Sequence, residues 1–138
     1  MSPTTVRMTL PSNPKSIGRV EGFIKKIEKK THLDEIQTHK LMVSLTEAVN
    51  NAIIHGNKSE TTKKVIVVCE FQREQLVITI TDQGKGFELD KVKNPLKEEN
   101  LLRTSGRGIF LMRTLMDKVE YEMGTGGAMV TLVLELNK

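Results

Sequence analysis

The spacing of apolar residues changes period several times along the chain, and each change marks an element. In "TVRMTL", Val6, Met8 and Leu10 alternate, which predicts a short half-buried strand. The period then lengthens. Ile17, Val20, Phe23, Ile24 and Ile27 recur at helical spacing, with Pro14 at a favourable first position. An amphipathic helix from Pro14 to Lys30 is expected. A second helix is expected to start at Asp34, a good N-cap, and to end at Gly56, a good C-cap. Its core stripe is Leu41, Met42, Leu45, Val49, Ala52 and Ile53. "KKVIVVCEF" and "QLVITITD" read as two strands joined by the turn "QREQ". In the second, Leu76, Ile78 and Ile80 share a face, and Asp82 continues it.

Between Gly84 and Gly108 the pattern dissolves into glycine, proline and charge. A loop of this length in a compact domain is often a functional lid. "GIFLMRTLMD" is helical again, with Ile109, Met112, Leu115 and Met116 apolar. "KVEYEM" and "AMVTLVLEL" close the chain as strands, with Val130, Leu132, Leu134 and Leu136 facing one way. The order is β, α, α, β, β, lid, α, β, β. Adjacent strand pairs predict an α+β class: a two-layer sandwich whose mixed, largely antiparallel sheet carries its helices on one face. The length suits a single domain over 1–138.

Composition narrows the function. Lys plus Arg number 21 against 17 Asp plus Glu, a mildly basic balance of +4 spread along the chain. Aromatic residues make up 4% and Trp is absent, so stacking platforms are scarce and direct nucleic-acid binding is not expected. Cys69 stands alone in an apolar run and reads as a buried thiol in a reducing compartment. No apolar run approaches the ~20 residues of a membrane span, and the N-terminus lacks an apolar signal core. A cytoplasmic protein is expected.

The candidate chemistry sits in three places. Glu47 and Asn51 are four apart and share a helix face away from the core stripe. Two adjacent asparagines inside a helix are locally unfavourable. Val43 and Ile54 project near the same direction, so that face is not simply a solvated one. A carboxylate and an amide oxygen there suit a general base and a hard cation such as Mg²⁺. Asp82, on a core face, needs a donor, which a ligand amine can supply. Gly84 and Gly86 permit close approach, although an Asp-Gly turn also accounts for them. Ser105, Gly106, Arg107 and Gly108 lead into a helix, where backbone amides and the dipole favour phosphate. Arg107 reads equally as a phosphate contact or a surface charge. His55 with Gly56 and Asn57 reads as a helix cap. There is no P-loop, and no dinucleotide fingerprint.

In this order these motifs resemble the GHKL (Bergerat-fold) ATPase superfamily. "EAVNNAIIHGN" is similar to its N box, "DQGKGF" to its first glycine box and "SGRGIFLMRTLMD" to its second. Within it, "SLTEAVNNAIIHGN", "NPL", "ENLL" and "SGRGIFLMRTLMDKVEYE" resemble the bacterial anti-sigma factor serine/threonine kinases. The resemblance implies the Bergerat ATP-binding fold, with ATP and Mg²⁺ as cofactors. It implies an ATP-dependent kinase that phosphorylates an anti-anti-sigma (STAS-type) partner, sequesters a sigma factor and forms a homodimer. It implies that Asn51 holds Mg²⁺, Glu47 is the general base and Asp82 takes the adenine amino group. It implies that Gly84 and Gly86 admit the base, while a lid over about 87–105 and the amides at Ser105, Gly106, Arg107 and Gly108 cradle the phosphates. One departure concerns the adenine site: Ala128 stands where the superfamily usually has Thr. The alternatives are a nucleotide-gated binding regulator without kinase activity and a stand-alone histidine-kinase-like ATPase domain. The lack of a helix pair carrying a phospho-acceptor His argues against the latter.

Overall fold

A computed structural model describes residues 4–84, 110–124 and 126–136. The elements are β1 (Thr4–Pro11), a 3₁₀ turn (Pro14–Arg19) running into α1 (Val20–Glu28), α2 (Glu35–Asn51), a π-helical turn (Ala52–Gly56), β2 (Lys64–Phe71), β3 (Gln75–Thr81), α3 (110–115), β4 (Lys118–Gly124) and β5 (Gly127–Glu135).

The five strands form one sheet in the order β1-β2-β3-β5-β4. All four pairings are antiparallel, so the described sheet contains no parallel pair where a mixed one was expected. Period-two alternation builds its inner face. Val6, Met8 and Leu10, then Val65, Val67 and Cys69, then Leu76, Ile78 and Ile80, then Val130, Leu132 and Leu134 are all buried. The register places them in rows. Met8, Val67, Ile80 and Val130 lie side by side, and Tyr121 of β4 completes that row. Onto this face α1 lays Val20, Phe23, Ile24 and Ile27, and α2 lays Leu41, Leu45, Ala48 and Val49. Each fully buried Leu, Ile or Val contributes about 1.5–3 kcal/mol. Cys69 is a free thiol inside this core, and burial pushes it up to about 12, so it packs as a small hydrophobe.

The helix starts are local. Asp34 caps α2 with a complete capping box: its Oδ1 accepts from Gln37 N at 2.7 Å, and Gln37 Oε1 accepts from Asp34 N at 3.0 Å. The first helix differs from its expected form: residues 14–19 are 3₁₀, and regular α-helix covers only Val20–Glu28. The end of α2 differs more. It stops at Asn51 and gives way to the π turn, closed by Asn57 N donating to Ala52 O at 2.8 Å. Gly56 is not a left-handed cap. Among the described non-glycine residues, positive φ occurs at Lys58 (51°) and Ser59 (58°). Met42 is half-buried, packing on the edge of the core stripe where Ser44 and Ala48 lie deeper.

Candidate nucleotide site

Asp82 follows β3 directly. Its N–H donates to Ala128 O at 3.0 Å, which carries the β3–β5 pairing one step further. The side chain therefore continues the inner face of the sheet and is only 7% exposed. Its Oδ1 accepts from the backbone N–H of Gly84 and of Ala128, each at 3.0 Å. Burial pushes the carboxyl above its ordinary range, and these two amides and the charge of Lys63 oppose that shift.

Three glycines, from the π turn, the segment after β3 and the start of β5, pack around Asp82. A Cβ on Gly56 would overlap Asp82 Oδ2, one on Gly84 would overlap the Gly56 carbonyl, and one on Gly127 would overlap the Asp82 carbonyl. Gly127 also sits at φ +139°, a conformation that favours glycine. Gly84 thus does allow a close approach, but of the Gly56 backbone. Oδ1 is committed to the two amides, and Oδ2 lies against Gly56. An ionised carboxylate only accepts hydrogen bonds, so Oδ2 can read an N–H donor such as an exocyclic amine. The missing Thr at position 128 does not remove the anchor, because that anchor is the peptide N–H of Ala128. Gly56→Ala is expected to cost about 1–3 kcal/mol of stability, the range for overpacking, and to weaken nucleotide binding as well. Urea denaturation and a nucleotide titration of the same variant check this.

Glu47 and Asn51 lie on α2, both half-buried. The Asn51 Nδ2 is wholly buried with no hydrogen-bond partner among the described residues, and so is the Tyr121 hydroxyl. The two are neighbours. The Asn51 amide and the charge of Arg113 favour the phenolate, but burial outweighs them and pushes Tyr121 up to about 12. Asn51 brings a carboxamide oxygen, a hard donor, to this half-buried face of α2. Among the described residues no group of three or more His, Cys, Asp or Glu makes a cation cage. Mg²⁺ takes one or two protein oxygens and draws the rest from phosphate and water, and a single donor from Asn51 fits that pattern. Sequence reading missed Tyr121, whose only signal is a polar group at an inward position of "KVEYEM".

Gly86, Ser105, Gly106, Arg107, Gly108 and the expected lid over 87–105 lie outside the described residues. His55 is exposed, whereas Asn57, read with it as a cap, is fully buried.

Residues 10–134 match the histidine kinase-like ATPase domain family, and the chain belongs to it. It is 37% identical over 103 residues to the anti-sigma F factor of Oceanobacillus iheyensis, covering 73% of this chain and 68% of that protein. It is 29% identical over 127 residues to the serine-protein kinase RsbW of Bacillus licheniformis, covering 88% of this chain and 79% of that one. These relatives place it with the anti-sigma factors and serine-protein kinases of the family. The crystal structure of the RsbU and RsbW domains of a Mycobacterium tuberculosis protein superposes with a TM-score of 0.72 at 16% identity, over 96% of this chain and 32% of that one. The histidine kinase domain of a blue-light activated kinase from Erythrobacter litoralis gives 0.58, also at 16% identity, over 97% of this chain and 69% of that one. Both show the fold. Among the described residues no helix is long and apolar enough to cross a membrane.

Proposed function

We propose that the chain is an ATP-binding anti-sigma factor that transfers the γ-phosphoryl group of ATP to a Ser or Thr of an anti-anti-sigma (STAS-type) protein. The observation that carries this reading is the Asp82 carboxylate, with Oδ1 held by two backbone amides and Oδ2 set against a glycine wall. Asp82 accepts a hydrogen bond from the adenine amino group. Asn51 presents its amide oxygen to Mg²⁺. When bound, Mg²⁺ neutralises charge between the phosphates. Glu47, one turn before Asn51, accepts the proton of the acceptor hydroxyl as it attacks. Gly86 and the amides at Ser105, Gly106, Arg107 and Gly108 are assigned to the base and the phosphates by their resemblance to the two glycine boxes.

The same reading gives the partners. The chain sequesters a sigma factor and releases it when the acceptor protein competes. A homodimer is supported by β1, an edge strand that pairs with β2 alone among the described strands. The single buried thiol suits a reducing cytoplasm. Tagged protein loaded with Mg·ATP is expected to retain a sigma factor from its own organism's lysate, and the purified acceptor protein is expected to displace it. Retention of no sigma factor under any nucleotide condition overturns the anti-sigma role.

A further inference from the structure

Asn57 is 0% exposed, and three of the four hydrogen-bonding positions of its carboxamide are used: both donors and one acceptor. Nδ2 donates to Ser12 Oγ at 2.7 Å and to Lys64 O at 3.0 Å. Oδ1 accepts from Gln83 N at 2.8 Å. Two further bonds tighten the cluster: Ser12 Oγ donates to Lys63 O at 2.8 Å, and Lys64 N donates to Gln83 Oε1 at 2.7 Å. One side chain thus ties the end of β1 and the start of β2 to the segment after β3.

Two of these links lead straight into the nucleotide site. Gln83 stands between Asp82 and Gly84, and the Gly84 N–H is one of the two donors that hold Asp82 Oδ1. Gly56, the residue before Asn57, is the wall against Oδ2. Asn57 therefore fixes both sides of the carboxylate, one through its own chain neighbour and the other through the Gln83 peptide.

We propose that Asn57 is a positioning residue for base selection: it holds the Asp82–Gly84 segment against the Gly56 wall, so that Asp82 turns a single fixed acceptor toward the ligand. This rests on the adenine role proposed for Asp82. A fixed acceptor selects a 6-amino purine and rejects a 6-oxo purine, whose carbonyl would face the carboxylate with no proton between them. Such discrimination depends on buried polar groups being unable to re-orient. Releasing the Gln83 peptide frees the Gly84 N–H and lets the carboxylate turn.

The test compares ATP with inosine triphosphate, which carries a carbonyl in place of the amine. Affinities are measured by calorimetry on the native chain and on Asn57→Ala, Gln83→Ala and Ser12→Ala. In Asn57→Ala the preference for ATP is expected to shrink by about tenfold, the worth of one hydrogen bond at this site. The Gln83 side chain is exposed, and Gln83→Ala removes the second tether on the same segment, so a smaller shift in the same direction is expected. Ser12→Ala removes the far end of the cluster and is expected to lower the melting temperature with the preference unchanged. Native preference in both Asn57→Ala and Gln83→Ala overturns the proposal. So does a Ser12→Ala preference that falls as far as that of Asn57→Ala, since Asn57 would then be scaffold alone. If Asn57→Ala does not fold, Gln83→Ala against Ser12→Ala decides. Failure of the native chain to bind ATP overturns the adenine role itself and this proposal with it, whereas ATP binding with unchanged preferences overturns this proposal alone.

Discussion

With Glu47 replaced by alanine, the chain is expected to hold ATP within a few-fold of its native affinity and to lose most of its phosphoryl transfer. General-base catalysis typically supplies about 10²–10⁴-fold, and that is the expected loss. Glu47 is half-buried on the face of α2 that carries Asn51, one turn before it. Its proposed work is confined to the transition state, where the acceptor hydroxyl must lose a proton. The proposed adenine contact at Asp82 and the proposed Mg²⁺ contact at Asn51 do not depend on it, so binding is expected to persist. Glu47→Gln keeps the shape and removes the base, and it is expected to fail as Glu47→Ala does. Transfer of label from γ-labelled ATP to the acceptor protein is the readout. Undiminished transfer in either variant would remove Glu47 from the mechanism.

Asp82→Asn is expected to separate binding from stability. The carboxylate offers the ligand an acceptor, and a carboxamide whose oxygen stays on the Gly84 and Ala128 amides offers an N–H in its place. Loss of a charge-assisted hydrogen bond costs about 1.5–3 kcal/mol, which is roughly 10- to 150-fold in ATP affinity. Stability moves the other way. Burial raises the folded-state pKa of Asp82 above its ordinary 3.8, so the folded chain binds this proton more tightly than the unfolded chain. The slope of stability with pH from this group is then negative. Its charge is a cost above the folded pKa, and that cost fades as pH falls toward 3.8. The carboxamide of the variant carries no such charge. The melting temperature of Asp82→Asn near neutral pH is therefore expected to hold or rise, and this group's pH dependence to vanish. A lower melting temperature with unchanged ATP affinity would show Asp82 to be a structural residue.

Much of the fold and the inward placement of Asp82 could be read from the chain, and what could not has identifiable causes. Period-two alternation marked β1, β3 and β5, and in β3 it put Asp82 on the inner face, where a charge has to be explained. Asp34 signalled the start of α2 because capping is a local exchange between residues three apart. The end of α2 was hidden. A glycine closing a helical run reads as a left-handed cap, yet Gly56 is small because Asp82, 26 positions later in the sequence, packs against it. Asn57 was hidden for the same reason: its partners are Ser12, Lys64 and Gln83, and no local pattern brings these together. Ala128 looked like a loss when judged by its side chain, but the anchor it supplies is backbone. The second glycine box remains a reading of sequence.

The central claim is that Asp82 and Asn51 belong to one Mg·ATP site. Calorimetric titration of the native chain with ATP, with and without Mg²⁺, tests it most directly. The expected result is one saturable site per chain whose affinity falls on adding a chelator, with Asp82→Asn weaker in both conditions and Asn51→Ala weaker only when Mg²⁺ is present. Absence of saturable binding, or an affinity indifferent to Mg²⁺ and to both substitutions, would contradict it.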